Sequence, residues 1–119
     1  MRIASHLVAA LVALEHLYFL VLEMFLWTKP EGLKTMRQTL EQAEASRVLA
    51  ANQGLYNGFL AAGIIWSLFA DPTLARPVRT FFLGCVIVAG IYGGATVSPR
   101  ILVLQALPAA VALALLWLS

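Results

Sequence analysis

Four long apolar stretches, at 3–27, 48–69, 78–97 and 101–118, constrain this chain more than any other feature. Each is near the ~20 residues a helix needs to cross the hydrocarbon core of a bilayer. A membrane barrel would read instead as shorter segments of alternating hydrophobicity. The expected fold is therefore an all-α membrane protein. It forms one domain over residues 1–119, a four-transmembrane-helix bundle with short loops. Charge usage agrees, because 12% of the residues are charged, about half the ~25% usual in soluble domains. A formal charge of +2 is too small for a surface that tracks phosphates, so nucleic acid is not an expected partner. The expected surroundings are the lipid bilayer.

The connections fit four spans. Asp71-Pro72 and Arg76-Pro77 read as breaks between the second and third, and Ser98-Pro99-Arg100 as a very short turn before the fourth. The long connection, 28–47, holds Lys29, Glu31, Lys34, Arg37, Glu41 and Glu44. Within it, Thr39 followed by Gln42 resembles a capping box, so the second helix is expected to start there and project beyond the bilayer before Val48. Residues 30–38 are expected to be loop rather than a short interfacial helix.

The first apolar run follows Arg2 as a signal peptide would. It continues through Phe25 and Trp27 and carries Glu15 and His16, which predicts a retained first span. Arg2, Arg76 and Arg79 fall on one side of the four spans, and Lys29, Lys34, Arg37, Arg47 and Arg100 on the other. That small excess predicts a cytoplasmic first connection. Cys85 is the single cysteine, so it forms no disulfide within the chain and is expected to be a small buried apolar group. Gly54–Gly58 and Gly90–Gly94 have GxxxG spacing, expected to let helices of this chain approach closely.

Polar residues inside the first span carry the functional reading. A central acidic residue costs about 2.5–3.5 kcal/mol on insertion scales, whereas each leucine-class residue returns only about 0.3–0.6 kcal/mol. Glu15, His16 and Glu23 therefore make this helix marginal alone, and they should face protein partners. At about 100° per residue, Glu23 falls within about 20° of His16, about 10 Å along the axis. Trp27 lies on the same stripe, Tyr18 lies between His16 and Glu23 in sequence, and Glu15 borders the stripe. The second span supplies Asn52, Gln53, Tyr56 and Asn57, paired one turn apart, the third Tyr92, and the fourth Gln105 ahead of Pro108. If these faces converge, the bundle encloses a polar cavity. The competing structural reading is that these groups tie helices together, at about 0.6 kcal/mol per contact.

The runs Ala13-Leu14-Glu15-His16-Leu17-Tyr18-Phe19, Leu22-Glu23-Met24-Phe25-Leu26-Trp27 and Leu49-Ala50-Ala51-Asn52-Gln53-Gly54-Leu55-Tyr56-Asn57-Gly58-Phe59-Leu60, continued by Phe82–Gly93, resemble a family of small bacterial membrane proteins. That family is known as domain of unknown function 1304. The resemblance covers nearly the whole chain and implies a four-helix, multi-pass protein of the bacterial inner membrane. It brings no established activity.

Three functional readings follow. In the first, the chain is an acid/base enzyme of isomerase or epimerase type acting on a lipophilic substrate. Glu15, His16 and Glu23 would be its catalytic groups. Tyr18, Trp27, Asn52, Gln53, Tyr56, Asn57, Tyr92 and Gln105 would line the substrate site. In the second, one buried glutamate in a short four-span chain exports lipophilic compounds in exchange for protons, a layout that needs a homodimer to enclose the pathway. An accessory subunit role is the third reading. One central histidine without HxxxH or ExxH spacing argues against a metal site, and no cofactor is called for.

Overall fold

Local signals set the ends of the helices. The structure is a computed structural model and describes residues 2–119. Helix α1 runs Arg2–Phe25, the short α2 Pro30–Met36, α3 Leu40–Phe69, α4 Pro72–Thr96 and α5 Pro99–Leu118. No strand occurs among the described residues. All but α2 are long and apolar enough to cross a membrane, with mean hydropathy from 1.2 to 2.4. Only 22–33% of each apolar window is buried within the protein, which leaves large side chains such as Leu49, Phe69 and Leu118 on the outside. Apolar surface on this scale suits a lipid environment.

The expected capping box forms. The Thr39 N–H donates to Gln42 Oε1 at 2.9 Å, and the Gln42 N–H donates to Thr39 Oγ1 at 3.1 Å. Helix α3 starts one residue later and has 30 residues, about 45 Å at 1.5 Å per residue. That exceeds the ~30 Å hydrocarbon core.

Two expectations need correction, and a third feature was not anticipated. Residues 30–38 are not plain loop, because Pro30 at the first turn and Glu31 beside it start α2. That helix ends at Arg37, which takes a left-handed conformation with φ 53°. Gly32 is buried against the Leu26 carbonyl, where any Cβ would collide, so the missing side chain is what seats α2 on the end of α1. Second, Arg76-Pro77 does not break the chain. Asp71 accepts from the N–H groups of Thr73 and Leu74 at 3.0 and 3.2 Å, which starts α4 six residues before the expected 78. Pro77 lies early in this helix and removes one backbone bond there without stopping it. Third, α5 is not uniform. Leu102–Ala106 is wound as π-helix, and the Leu107 N–H donates to the Leu102 carbonyl five residues back. Pro108 has no N–H, and its ring crowds the carbonyl of Leu104. The wider turn lies immediately ahead of it.

The chain divides into two compact units, one of residues 2–14 with Leu60–Ser119, the other Glu15–Phe59. In the first, parts of four helices meet on Ala9, Val12, Ala13, Ile64, Leu83, Val86, Ala109 and Ala112, all buried. Half of these are alanine, so the helices approach closely. The α4–α5 contact shows why Gly90 is glycine: a Cβ there would lie 2.6 Å from the Ala106 backbone nitrogen. Gly94 meets Leu102 in the same way. In the second unit, Gly54 and Gly58 of α3 face Met24 and Leu20 of α1. Both GxxxG pairs thus pack within the chain.

Candidate functional site

A buried carboxylate organises the second unit. Glu23, near the end of α1, is 7% exposed. Gln53 Nε2 donates to its Oε2 at 2.7 Å, and Asn57 Nδ2 donates to its Oε1 at 2.6 Å. The two amides stand one turn apart on α3, so they reach the two oxygens side by side. The adjacent glycines make this possible. A Cβ on Gly54 would lie 3.0 Å from Glu23 Cβ, and one on Gly58 would lie 2.6 Å from Leu20 Cδ1. The sequence Gln53-Gly54-Leu55-Tyr56-Asn57-Gly58 therefore sets two backbone approaches and two donors in register. The glycine spacing and the amide spacing work as one motif, which the sequence reading treated as two.

The remaining expected residues divide. His16 is fully buried, and its ring meets Phe19 edge-on at 5.2 Å between centroids. Its Nδ1 lies 3.9 Å from Glu15 Oε1, an ion-pair distance too long for a hydrogen bond. That Glu15 oxygen is buried with no hydrogen-bond partner among the described residues. The bonds to the two Glu23 oxygens come from α3. Sharing a stripe is not contact when the residues are about 10 Å apart along the helix.

Trp27 ties the turn after α1 to α3, its Nε1 donating to Ser46 Oγ at 3.1 Å. Tyr18 and Tyr56 are exposed and pair edge to face or at a tilt with Phe19 and Phe59. Asn52 is exposed. Tyr92 and Gln105 belong to the other unit, Tyr92 exposed and Gln105 half-buried in the π-helical stretch. Within the second unit, Glu23, Gln53 and Asn57 form a compact hydrogen-bonded cluster. Among the described residues, no group of three His, Cys, Asp or Glu side chains could hold a metal ion.

One buried polar group, Arg79, has the sequence pattern of a flanking cation only. It is 2% exposed, with Nε donating to Ser67 Oγ at 3.0 Å and Nη2 to the Ser67 carbonyl at 2.8 Å. The Asp71-Pro72 start was the available signal, because it carries Arg79 two turns into α4.

Comparison with known proteins agrees with this picture. The family described as "Protein of unknown function (DUF1304)" matches residues 10–117. The uncharacterized protein YpaA of Lactococcus lactis subsp. lactis is 32% identical over 107 residues, covering 88% of this chain and 89% of that protein. No solved structure matches the chain. An all-helical chain with four helices apolar enough to span a membrane, matched along nearly its whole length, belongs to the DUF1304 family of proteins of unknown function.

Proposed function

We propose that this is a multi-pass protein of the bacterial inner membrane that performs acid/base chemistry on a lipophilic molecule, of isomerase or epimerase type. The observation that carries the reading is the Glu23 carboxylate held by two amide donors. A carboxylate that is 7% exposed needs donors to offset its lost hydration, and two amides on one face of α3 supply them. Gln53 is also exposed on its unit, so a molecule dissolved in the bilayer reaches the cluster from the side.

Shifting a proton between carbon positions needs a base, an acid and a donor for the charge that develops. Glu23 supplies the base, and the amides fix its direction. Each oxygen accepts one amide hydrogen bond and keeps a second lone pair, which is where the substrate proton is taken up. Glu15 and His16 form the second proton-active pair, on the same helix.

Native mass spectrometry of the detergent-purified protein tests the binding half of this reading. The wild type is expected to carry a lipophilic organic molecule at one per site, and Glu23→Gln to lose it. A wild-type protein that is empty, yet drives proton-dependent dye efflux when placed in vesicles, would replace the enzyme by an exporter.

A further inference from the structure

A second polar site lies in the other unit, and its argument is independent of the Glu23 reading. A cavity of about 310 Å³ opens where α1 begins, α3 ends, α4 begins and α5 ends. Its volume is roughly that of ten waters at about 30 Å³ each. Arg2, Arg76 and Arg79 line it together with His6, Ser5 and Ser67, and no acidic side chain does.

Among the described residues, no acidic side chain bonds to these arginines. Arg79 is 2% exposed, and its two bonds both go to the neutral oxygens of Ser67. Arg76 stacks over the Trp117 ring at 4.8 Å and donates to the Ser119 backbone oxygen at 3.4 Å. Asp71, next to this region in sequence, caps α4 through Oδ1 and does not line the cavity. Among the described residues, Ser5 Oγ is buried in the cavity wall with no partner. His6 Nδ1 is engaged with the Arg2 carbonyl at 2.8 Å, leaving Nε2 as the ring nitrogen for a ligand.

A buried guanidinium is normally retained with an anion, because neutral partners recover only part of its hydration. We infer that this cavity is an anion site for a phosphate-bearing group, held by Arg79 at its base, Arg2 and Arg76 at its mouth and the Ser5 hydroxyl. The guanidinium fork suits phosphate oxygens. Its position at the ends of the helices is the level at which lipid headgroups lie, and a soluble phosphate ester offers the same chemistry.

Delipidated full-length protein in a maltoside detergent is titrated with phosphatidylglycerol, phosphatidylcholine, glycerol 3-phosphate and glycerol, with binding read by native mass spectrometry. One phosphatidylglycerol per chain, bound about tenfold or more tightly than phosphatidylcholine, identifies a lipid headgroup. The same preference for glycerol 3-phosphate over glycerol identifies a soluble ester. Arg79→Gln and the double variant Arg2→Gln/Arg76→Gln should each weaken binding by about tenfold or more, as expected for losing charge-assisted bonds. Arg100→Gln, in the α4–α5 turn, should not. The double variant leaves the Arg79–Ser67 bonds intact, so it decides the matter even if Arg79→Gln fails to fold. Absence of either preference, or wild-type binding by the double variant, overturns the inference.

Discussion

The Glu23 cluster makes a quantitative claim that a double-mutant cycle can test. Asn57→Ala removes one of the two donors to a carboxylate that is 7% exposed. A hydrogen bond to a charged group contributes about 1.5–3 kcal/mol, whereas ordinary side-chain bonds in a membrane average about 0.6 kcal/mol. In the Glu23→Ala background Asn57 has already lost its acceptor, so the second substitution should cost little more. The expected Glu23–Asn57 coupling is therefore about 1.5–3 kcal/mol. The Glu23–Gln53 coupling should be smaller, because the exposed Gln53 side chain loses more rotamer freedom when it is held. Glu23 with Asn52, which donates nothing to it, should couple near zero and serves as the control. The assay is reversible unfolding by dodecyl sulfate in mixed micelles, with each variant checked for helicity. Couplings at or below about 0.6 kcal/mol for both amides would refute the reasoning, because the cluster would then be no more than ordinary helix glue.

Other substitutions test the packing and the helix ends. Gly90→Ala puts a methyl 2.6 Å from the Ala106 backbone nitrogen, and should cost about 1–3 kcal/mol in the same unfolding assay. Gly84→Ala meets nothing within 4 Å and should be as stable as the wild type or up to about 1 kcal/mol more so. Thr39→Ala removes the oxygen that receives the Gln42 N–H, a loss of about 1 kcal/mol. Faster amide exchange at residues 40–43 is the measurement, with unchanged exchange as the contrary result. Gly32→Ala should detach α2 from the end of α1, because a Cβ there collides with the Leu26 carbonyl. Protease cleavage within 28–38 should then rise, and an unchanged cleavage pattern would show that α2 is seated by other contacts.

Much of the fold was legible because membrane spans are read from length and apolarity alone. The capping box at Thr39 and Gln42 was legible for a similar reason: its two bonds are local and pair residues three apart. Where a local signal was read too strongly, the expectation failed. In sequence Pro77 reads as a break, but a proline early in a helix already capped by Asp71 removes one bond without ending it. The π-helical stretch ahead of Pro108 has no sequence signature beyond that proline, because several local adjustments absorb the lost donor.

The site was legible in part. Burial cost marked Glu23, and one-turn spacing marked Gln53 and Asn57, so three residues on two helices came together as expected. His16 and Glu15 were marked by the same cost, but angular position on a helix says nothing about axial reach. Tyr18, Tyr56 and Asn52 are polar residues on exposed faces, which composition does not distinguish from lining groups. Arg79 was overlooked because its burial depends on where α4 starts, and that start was misplaced by six residues.

Solvent deuterium exchange tests the acid/base account most directly. Membranes from growth-arrested cells carrying the wild type, Glu23→Gln or no protein are incubated in D2O, and their lipid extracts are compared by mass spectrometry. Proton transfer at a substrate carbon washes deuterium into it, so the account predicts a lipophilic species that gains one mass unit with the wild type and not with Glu23→Gln. Extracts that are identical across the three membranes would contradict it.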